Sequence, residues 1–307
     1  MAALTQQFQP SPTHTLRKRA AAPAPAPATP PPPACATATT TTTHRRCVAT
    51  LHVPQVPTSA APLSSNVLRQ TLDDPSLKST WSHRAWVACG CTTIAFTLAK
   101  SMAMAAVSSS WLEPAGAGTL GYFVADLATG IYHWAIDNYG DASTPVFGSQ
   151  IDAFQGHHKW PWTITRRQFA NNLHALARAT TITLLPLDLL PLDMGLEAFV
   201  SVCAGCIMFS QQFHAWAHTP KSRLSSIVIV LQDAGLLVSR SKHAAHHRTP
   251  YNNNYCIVSG VWNGALDEAR FFEALEMVVF FRFGIRPRSW NEPGSDWKEE
   301  GDPDSSS

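Results

Sequence analysis

The first 72 residues of the chain contain no aspartate and no glutamate. They hold six basic residues, many Ser, Thr and Ala, and prolines throughout, as in AAAPAPAPATPPPPACATATTTTT. The prolines interrupt every apolar run, which excludes the continuous apolar core of a secretory signal peptide. An acid-free, hydroxyl-rich leader is typical of an organelle transit peptide, and the lack of an Arg-studded amphipathic helix favours a plastid over a mitochondrion. A disordered proline-rich linker is the alternative.

Charge and cysteine are also scarce. The net charge of +2 is too small, and too evenly spread, to indicate a nucleic-acid partner. The seven cysteines show no disulfide framework. Cys203 and Cys206 form the motif CAGC, but no thioredoxin-like βαβ pattern surrounds it. We therefore interpret both as small buried residues of an apolar helix rather than as a redox pair.

Apolar stretches are abundant after residue 73, at 85–112, 115–136, 179–192, 198–213 and 225–238. A helix needs about 20 apolar residues to cross a bilayer, which the first two stretches reach and the fourth nearly reaches. We expect an all-α, multispanning membrane protein with three or four spans, and re-entrant or interfacial helices from the shorter stretches. A soluble helical bundle is the alternative, because the mean hydropathy is near zero. The predicted parts are a disordered leader (1–72), a membrane domain (73–290) and a polar tail (291–307).

Nine of the thirteen histidines lie between residues 133 and 247, at or just beyond the ends of these stretches. HWAID, HAWAH and HAAHH place metal-binding residue types at i and i+4, where side chains share one face of a helix. QGHHK and NNLH supply the remaining histidines. Burying so many imidazoles is costly without compensation, and metal coordination relieves that cost. The histidines therefore predict a metal site.

The number of ligands indicates which metal. Nine histidines and a nearby aspartate exceed one zinc site but suit two ions with four or five ligands each. Paired ExxH motifs are absent, which excludes the ferritin-like di-iron bundle. Imidazole suits iron, and a histidine-rich di-iron centre can activate dioxygen beside a membrane. Such a centre can take hydrogen from an unactivated C–H bond, which no side chain can do alone.

Four segments together resemble the Kua family of membrane desaturases. They are DLATGIYHWAIDNYGD (126–141), FQGHHKWPWTITRRQFANNLH (154–174), QQFHAWAH (211–218) and HAAHHRTPYNNNYCIVSG (243–260). The resemblance runs from about residue 80 to about residue 297 and implies three histidine boxes, QGHHK, HAWAH and HAAHH, that hold two irons. The implied ligands are His157, His158, His214, His218, His243, His246 and His247. Three further candidate ligands, at polar positions that match the family, are His133, Asp137 and His174.

The resemblance also implies a substrate. Within the family, the chain is most similar to the plastid branch, which introduces a trans-Δ3 double bond into the palmitoyl chain of phosphatidylglycerol. It is thus expected in a plastid membrane, the thylakoid, with O2 as co-substrate. No flavin or nicotinamide fingerprint is present, so electrons are expected from a partner such as ferredoxin. The alternatives are a di-iron lipid hydroxylase and a histidine-rich membrane metal transporter.

Polar and basic residues beside the boxes are candidates for orienting the histidines or for binding an anionic headgroup. Basic residues in such places also serve as membrane anchors, and PYNNNY has the composition of a plain turn. No catalytic residue apart from the metal ligands is expected. The candidates for these supporting roles are Asp126, Gln155, Lys159, Arg166, Arg167, Asn171, Asn252, Asn253 and Asn254.

Overall fold

The computed structural model describes residues 74–296 in full and only the backbone of Leu16–Lys18 and Trp297–Glu299. The expected leader, apart from residues 16–18, and the tail beyond residue 299 lie outside the described residues. The expectation of an all-α fold is confirmed for the membrane domain. The helices described are α1 (Trp81–Ser108), α2 (Leu112–Asn138), α3 (Gly148–Lys159), α4 (Phe169–Leu187), α5 (Met194–His218), α6 (Ser226–Asp233), α7 (Arg240–His246), α8 (Asn263–Glu268) and α9 (Phe271–Phe283).

A short antiparallel ribbon joins the two ends of the described chain. Strand β1 (Leu16–Lys18) pairs with β2 (Trp297–Glu299), with Arg17 opposite Lys298. Short 3₁₀ turns connect several of the helices, at Pro75–Leu77, Thr163–Arg166, Lys221–Arg223 and Arg288–Asn291.

Side chains cap the first turns of the helices that frame the fold. Thr80 accepts the backbone N–H of His83 at the start of α1, and His83 Nδ1 accepts the backbone N–H of Thr80 in return. Asp193 accepts the N–H of Leu196 at 2.8 Å, at the start of α5. These caps satisfy N–H groups that have no partner within a helix. They fix where α1 and α5 begin after a turn.

The four long helices α1, α2, α4 and α5 form a bundle in which α5 packs against the other three. A buried apolar cluster between α1, α4 and α5 includes Val87, Leu173 and Met208. On the other side, α2 approaches α5 so closely that a Cβ at Gly121 would lie 2.5 Å from the carbonyl oxygen of Phe199. Glycine is thus required there, because any side chain would force α2 away from α5.

Two helical segments in the described part of the chain are long and apolar enough to cross a membrane, Pro75–Ser108 and Met194–His218. This is fewer than the three or four spans expected. The second apolar stretch forms α2, which carries Asp126, His133 and Asp137. Only 28% and 33% of the apolar windows in the two segments are buried, whereas the core helix of a soluble protein is mostly buried. Their exposed apolar surface favours a membrane protein over the soluble bundle.

Candidate metal centre

Nine metal-binding side chains gather in two adjacent sets. Within each set, one ligand atom from every member lies within 4.8 Å of the others. The five-histidine set is His157, His214, His218, His243 and His247. The aspartate set is His133, Asp137, His158 and His246.

The helices divide the ligands between the sets through their geometry. His214 and His218 are four residues apart on α5 and share a face, so both belong to the five-histidine set. His133 and Asp137 have the same spacing on α2 and belong to the aspartate set.

Helix α3 and the HAAHH box contribute to both sets. The neighbouring residues His157 and His158 point about 100° apart around α3, so each reaches a different set. HAAHH places His243 and His247 in one set and His246 in the other. The spacing of this box therefore lets one turn of the chain contribute side chains to both sets.

Imidazole rings of the two sets lie next to one another. The ring centroids of His158 and His247 are 5.0 Å apart, and those of His243 and His246 are 5.5 Å apart. These four rings come from α3, from α7 and from the residue that follows α7. The two sets are therefore adjacent, and each could hold a metal ion.

Hydrogen bonds fix the tautomers in the aspartate set. Nδ1 of His133 lies 2.9 Å from the carbonyl oxygen of Tyr255, and Nδ1 of His246 lies 2.7 Å from that of Asn253. A carbonyl oxygen can only accept, so Nδ1 carries the proton in both rings. In the neutral rings, Nε2 then holds an unprotonated lone pair.

Those lone pairs point at another acceptor. Oδ2 of Asp137 lies 3.2 Å from Nε2 of His133 and 3.3 Å from Nε2 of His246. Nε2 of His158 is 3.1 Å from the same oxygen. Acceptor atoms this close repel unless a cation lies among them. Protonating the rings instead is opposed by burial, which lowers the pKa of His246. The aspartate set therefore fits a metal ion.

The five-histidine set fits a metal ion on the spacing of its nitrogens. Nε2 of His157 is 2.8 Å from Nε2 of His218, and the Nε2 atoms of His243 and His247 are 3.1 Å apart. Ligands at right angles around an ion, each about 2.1 Å from it, are about 3 Å apart. Within the described residues, both ring nitrogens of His214 are buried without a hydrogen-bond partner. Such nitrogens are costly unless a metal uses them.

Burial keeps the imidazole rings of His157 and His243 neutral. It lowers the pKa of His157 to about 2, with repulsion from His218 and neighbouring rings adding to the effect. Burial, followed by the neighbouring histidines, also holds the pKa of His243 well below its usual range. A neutral imidazole is the form that binds metals. The site is therefore ready for metal at neutral pH.

Nine of the ten ligand candidates from the sequence lie in these two sets, and the tenth, His174, lies in neither. Its ring stacks on that of His83 with 3.9 Å between centroids, and its Nδ1 lies 2.8 Å from the carbonyl oxygen of Asn171. His174 is in the second turn of α4, where it faces α1 rather than the ends of α2 and α7.

Three candidates for a supporting role contact a ligand or the segments of chain that hold the ligands. Asn253 supplies the carbonyl oxygen that His246 contacts. The amide of Gln155 donates to the carbonyl oxygens of Ile136 and Asp137, which ties α3 to the end of α2. The carboxylate of Asp126 accepts backbone N–H groups of residues 258–262, which belong to the loop that also contacts His133.

The other candidates have partners outside the two sets or lie at the surface. Asn171 donates to the carbonyl oxygens of Ser76 and Lys78, and the guanidinium of Arg166 lies 4.7 Å from the ring centre of Trp162. The backbone N–H of Asn254 donates to Asp267 at 3.1 Å. Exposed side chains at the surface are Lys159, Arg167 and Asn252.

Two supporting groups were missed by the sequence analysis. The carbonyl oxygen of Tyr255 orients His133, and Arg288 donates to the side-chain oxygen of Gln155. A backbone carbonyl has no sequence signature. Arg288 lies 133 residues from Gln155, so no local pattern could have linked them.

The sequence also matches known proteins. The lipid desaturase domain family matches residues 122–290. The chain is 67% identical to "Fatty acid desaturase 4, chloroplastic" of Arabidopsis thaliana over 221 residues, covering 72% of this chain and 68% of the relative. It is 59% identical to "Fatty acid desaturase 4-like 1, chloroplastic" of the same plant, covering 78% and 79%. "Plasmanylethanolamine desaturase" of Myxococcus xanthus is 33% identical, covering 55% and 61%. No solved structure matches the chain.

Proposed function

Because this chain belongs to the lipid desaturase family, we propose that it introduces a trans-Δ3 double bond into the palmitoyl chain of plastid phosphatidylglycerol. The resemblance to membrane desaturases noted in the sequence is confirmed, and the chain is a fatty acid desaturase, an oxidoreductase. The plant relatives are named as chloroplast proteins, and we assign this chain to the plastid as well.

The observation that carries the proposal is the paired ligand sets at the end of an apolar helix. His214 and His218 lie in the last turns of α5, whose apolar length could cross a membrane. An acyl carbon near the carboxyl end of a lipid chain lies just below the headgroup, at the depth where such a helix ends. A metal site there can reach carbons that a site within the bilayer core cannot.

A cleft beside the aspartate set supports an anionic headgroup. Its lining includes the cations Lys159 and Arg288 and the metal-binding residues Asp137 and His158. The two cations suit a phosphate, whereas Glu292 on the same cleft is an acceptor for hydroxyl groups. Phosphatidylglycerol offers both a phosphate and a glycerol diol. This combination favours it over lipids that lack one of the two groups.

The side chains of the site bind and orient rather than react. The histidines present unprotonated nitrogens, and Asp137 adds one negative charge that offsets part of the charge of a bound cation. We propose iron in both sets, since imidazole ligands suit iron. Bound iron would supply dioxygen activation and hydrogen removal from an unactivated C–H bond.

The overall reaction requires a reductant. Two hydrogens leave adjacent acyl carbons, and together with two electrons from a donor and two protons from the aqueous phase they reduce one dioxygen molecule to two waters. We propose a ferredoxin-type protein as the donor in the plastid. We propose that the loops beyond α3 and α7 face the aqueous side and that electrons enter there.

The test is expression of the chain in a host whose membranes contain phosphatidylglycerol with a palmitoyl chain, together with a plastid-type ferredoxin system. We expect a trans-3-hexadecenoyl chain in phosphatidylglycerol and in no other lipid class, measured by fatty-acid analysis of each separated class. Purified protein should contain about two irons per chain. A new double bond in a different lipid class would contradict the substrate assignment.

The same experiment separates the alternatives. A lipid hydroxylase would leave a hydroxy acid in place of the double bond. A metal transporter would yield bound metal and metal-dependent growth without any lipid product. The metal-binding side chains of the described residues gather in one place rather than along a path between helices, which favours the enzyme.

A further inference from the structure

A loop that we call the strap, residues 253–262, follows the HAAHH box and lies against α2. Its carbonyl oxygens at Tyr255 and Asn253 are the ones that fix the rings of His133 and His246. Both histidines belong to the aspartate set. The strap thus sets the tautomer and the direction of two of that set's three imidazoles.

One buried carboxylate holds the strap in place. Asp126, on α2, is fully buried. Its Oδ1 accepts the backbone N–H groups of Val258, Ser259 and Gly260 at 2.8 to 3.1 Å. Its Oδ2 accepts that of Val261 at 3.0 Å and that of Trp262 at 3.5 Å. Five donors converge on one charged group, and hydrogen bonds to a charged acceptor are about twice as strong as neutral ones.

Two further side chains hold the strap from the other side. The amide oxygen of Asn263 accepts the N–H of Cys256 at 2.8 Å. Asp267 accepts the N–H of Asn254 at 3.1 Å. The strap also packs tightly on α2, because a Cβ at Gly130 would lie 2.4 Å from the sulfur of Cys256. The strap is therefore held on both sides.

The five-histidine set lacks this support. Among the described residues, its ring nitrogens without a hydrogen-bond partner include Nδ1 of His157, His214, His243 and His247. No backbone carbonyl of the strap bonds to a ring of this set in the described contacts. A change that loosens the strap should therefore disturb one set and leave the other.

We propose that Asp126 is a positioning residue that, through the strap, sets the metal affinity of the aspartate set alone. The inference rests on the proposed function only in assuming that both sets bind metal. Asparagine is the sharpest replacement, because it keeps the size of the side chain. It offers one acceptor oxygen in place of two and turns an NH2 group toward backbone donors. The strap should then shift, and the rings of His133 and His246 should lose their fixed direction.

The experiment measures binding of iron(II) to the purified full-length chain under anaerobic conditions. The wild type should bind two ions per chain. Asp126→Asn should bind one ion with unchanged affinity and the other about 10- to 100-fold more weakly, as for other partners of metal ligands. A matched control is Glu197→Gln, since Glu197 is also a fully buried carboxylate but pairs with Lys100. This control should keep both ions at wild-type affinity.

Double variants identify the set that is affected. Adding Asp137→Asn to Asp126→Asn should weaken the same ion further and leave the other ion unchanged, because both changes act on the aspartate set. Adding His214→Ala should remove the remaining ion. Asp267→Asn removes an acceptor of the strap at another point, and it should weaken the binding of iron(II) to the aspartate set in the same way. This variant replaces Asp126→Asn in the test if Asp126→Asn does not fold.

The outcomes separate the two proposals. A wild type that binds fewer than two ions would overturn the metal assignment on which the proposed function depends. A wild type that binds two ions, with Asp126→Asn and Asp267→Asn binding both at unchanged affinity, would overturn the positioning role. Equal weakening of both ions in a folded variant would overturn it as well.

Discussion

The two ligand sets are built partly from the same elements but differ in charge and in support. The five-histidine set has only neutral ligands, and several of its ring nitrogens have no hydrogen-bond partner in the described residues. The aspartate set has fewer imidazoles, one carboxylate and two rings fixed by the strap. The larger number of ligands in the five-histidine set compensates for the negative charge and the fixed ring directions that only the aspartate set has.

This difference makes the two sites unequal. A carboxylate lowers the cost of bringing a divalent cation into a buried site, and fixed rings lose little freedom on binding. We therefore expect the aspartate set to fill first and to hold its ion more tightly. Both ions are nevertheless needed for the reaction if the two sets act on one dioxygen molecule.

The largest effect should come from removing one ligand of either set. His214→Ala and His246→Ala should each lower desaturase activity more than about 100-fold, because each leaves a set without a central nitrogen. Product would be measured as trans-3-hexadecenoate in phosphatidylglycerol. Activity close to wild type in either variant would show that one set alone suffices and would contradict the expected need for both sets.

A smaller effect should come from removing only the charge. Asp137→Asn keeps the shape of the side chain but not its negative charge, so the ion of the aspartate set should bind about 10- to 100-fold more weakly. The ion of the five-histidine set should be unaffected. Iron titration measures both.

The control for Asp137→Asn is Asp152→Asn. Asp152 is an exposed carboxylate on α3, close in sequence to the first histidine box. This variant should match the wild type in both affinities. An equal loss in the two variants would mean that general surface charge, rather than the ligand, governs the affinity.

The sequence predicted most ligands because their spacing is local. The i, i+4 pairs on α2 and α5, the adjacent pair on α3 and the HAAHH box account for all nine side chains. The division into sets was beyond the sequence, since it depends on how α3 and α7 meet in space. His174 was included because NNLH belongs to a shared segment, although the side chain faces His83. The role of the strap depends on backbone carbonyls, which leave no pattern.

Acid should destabilise the metal-free protein, chiefly through the five-histidine set. Burial, together with repulsion from the neighbouring imidazoles, lowers the pKa of His157 to about 2. The unfolded chain protonates this ring near pH 6.5, so below that pH the unfolded state binds more protons. The free energy of unfolding should fall by about 1.4 kcal/mol per pH unit for each such ring as the pH drops from about 6.5 toward 2.

Two variants sharpen that result. For His246, burial also lowers the pKa, but Asp137 raises it in opposition. His157→Gln should therefore reduce the pH dependence of stability more than His246→Gln does. The measurement is the unfolding midpoint of chelator-treated protein in detergent between pH 5 and 7, a range set around the ordinary histidine pKa of about 6.5. Equal slopes in both variants would remove the proposed difference between the sets.

The smallest effect should come from His174→Ala. The ring stacks on His83 between α4 and α1 and contributes no atom to either set. Its loss should cost no more than about 1 kcal/mol of stability and should leave both iron affinities unchanged. His218→Ala is the matched comparison, because His218 belongs to the five-histidine set. If His174→Ala lost an ion and His218→Ala did not, the family-derived role of His174 would stand and the division of ligands described here would be wrong.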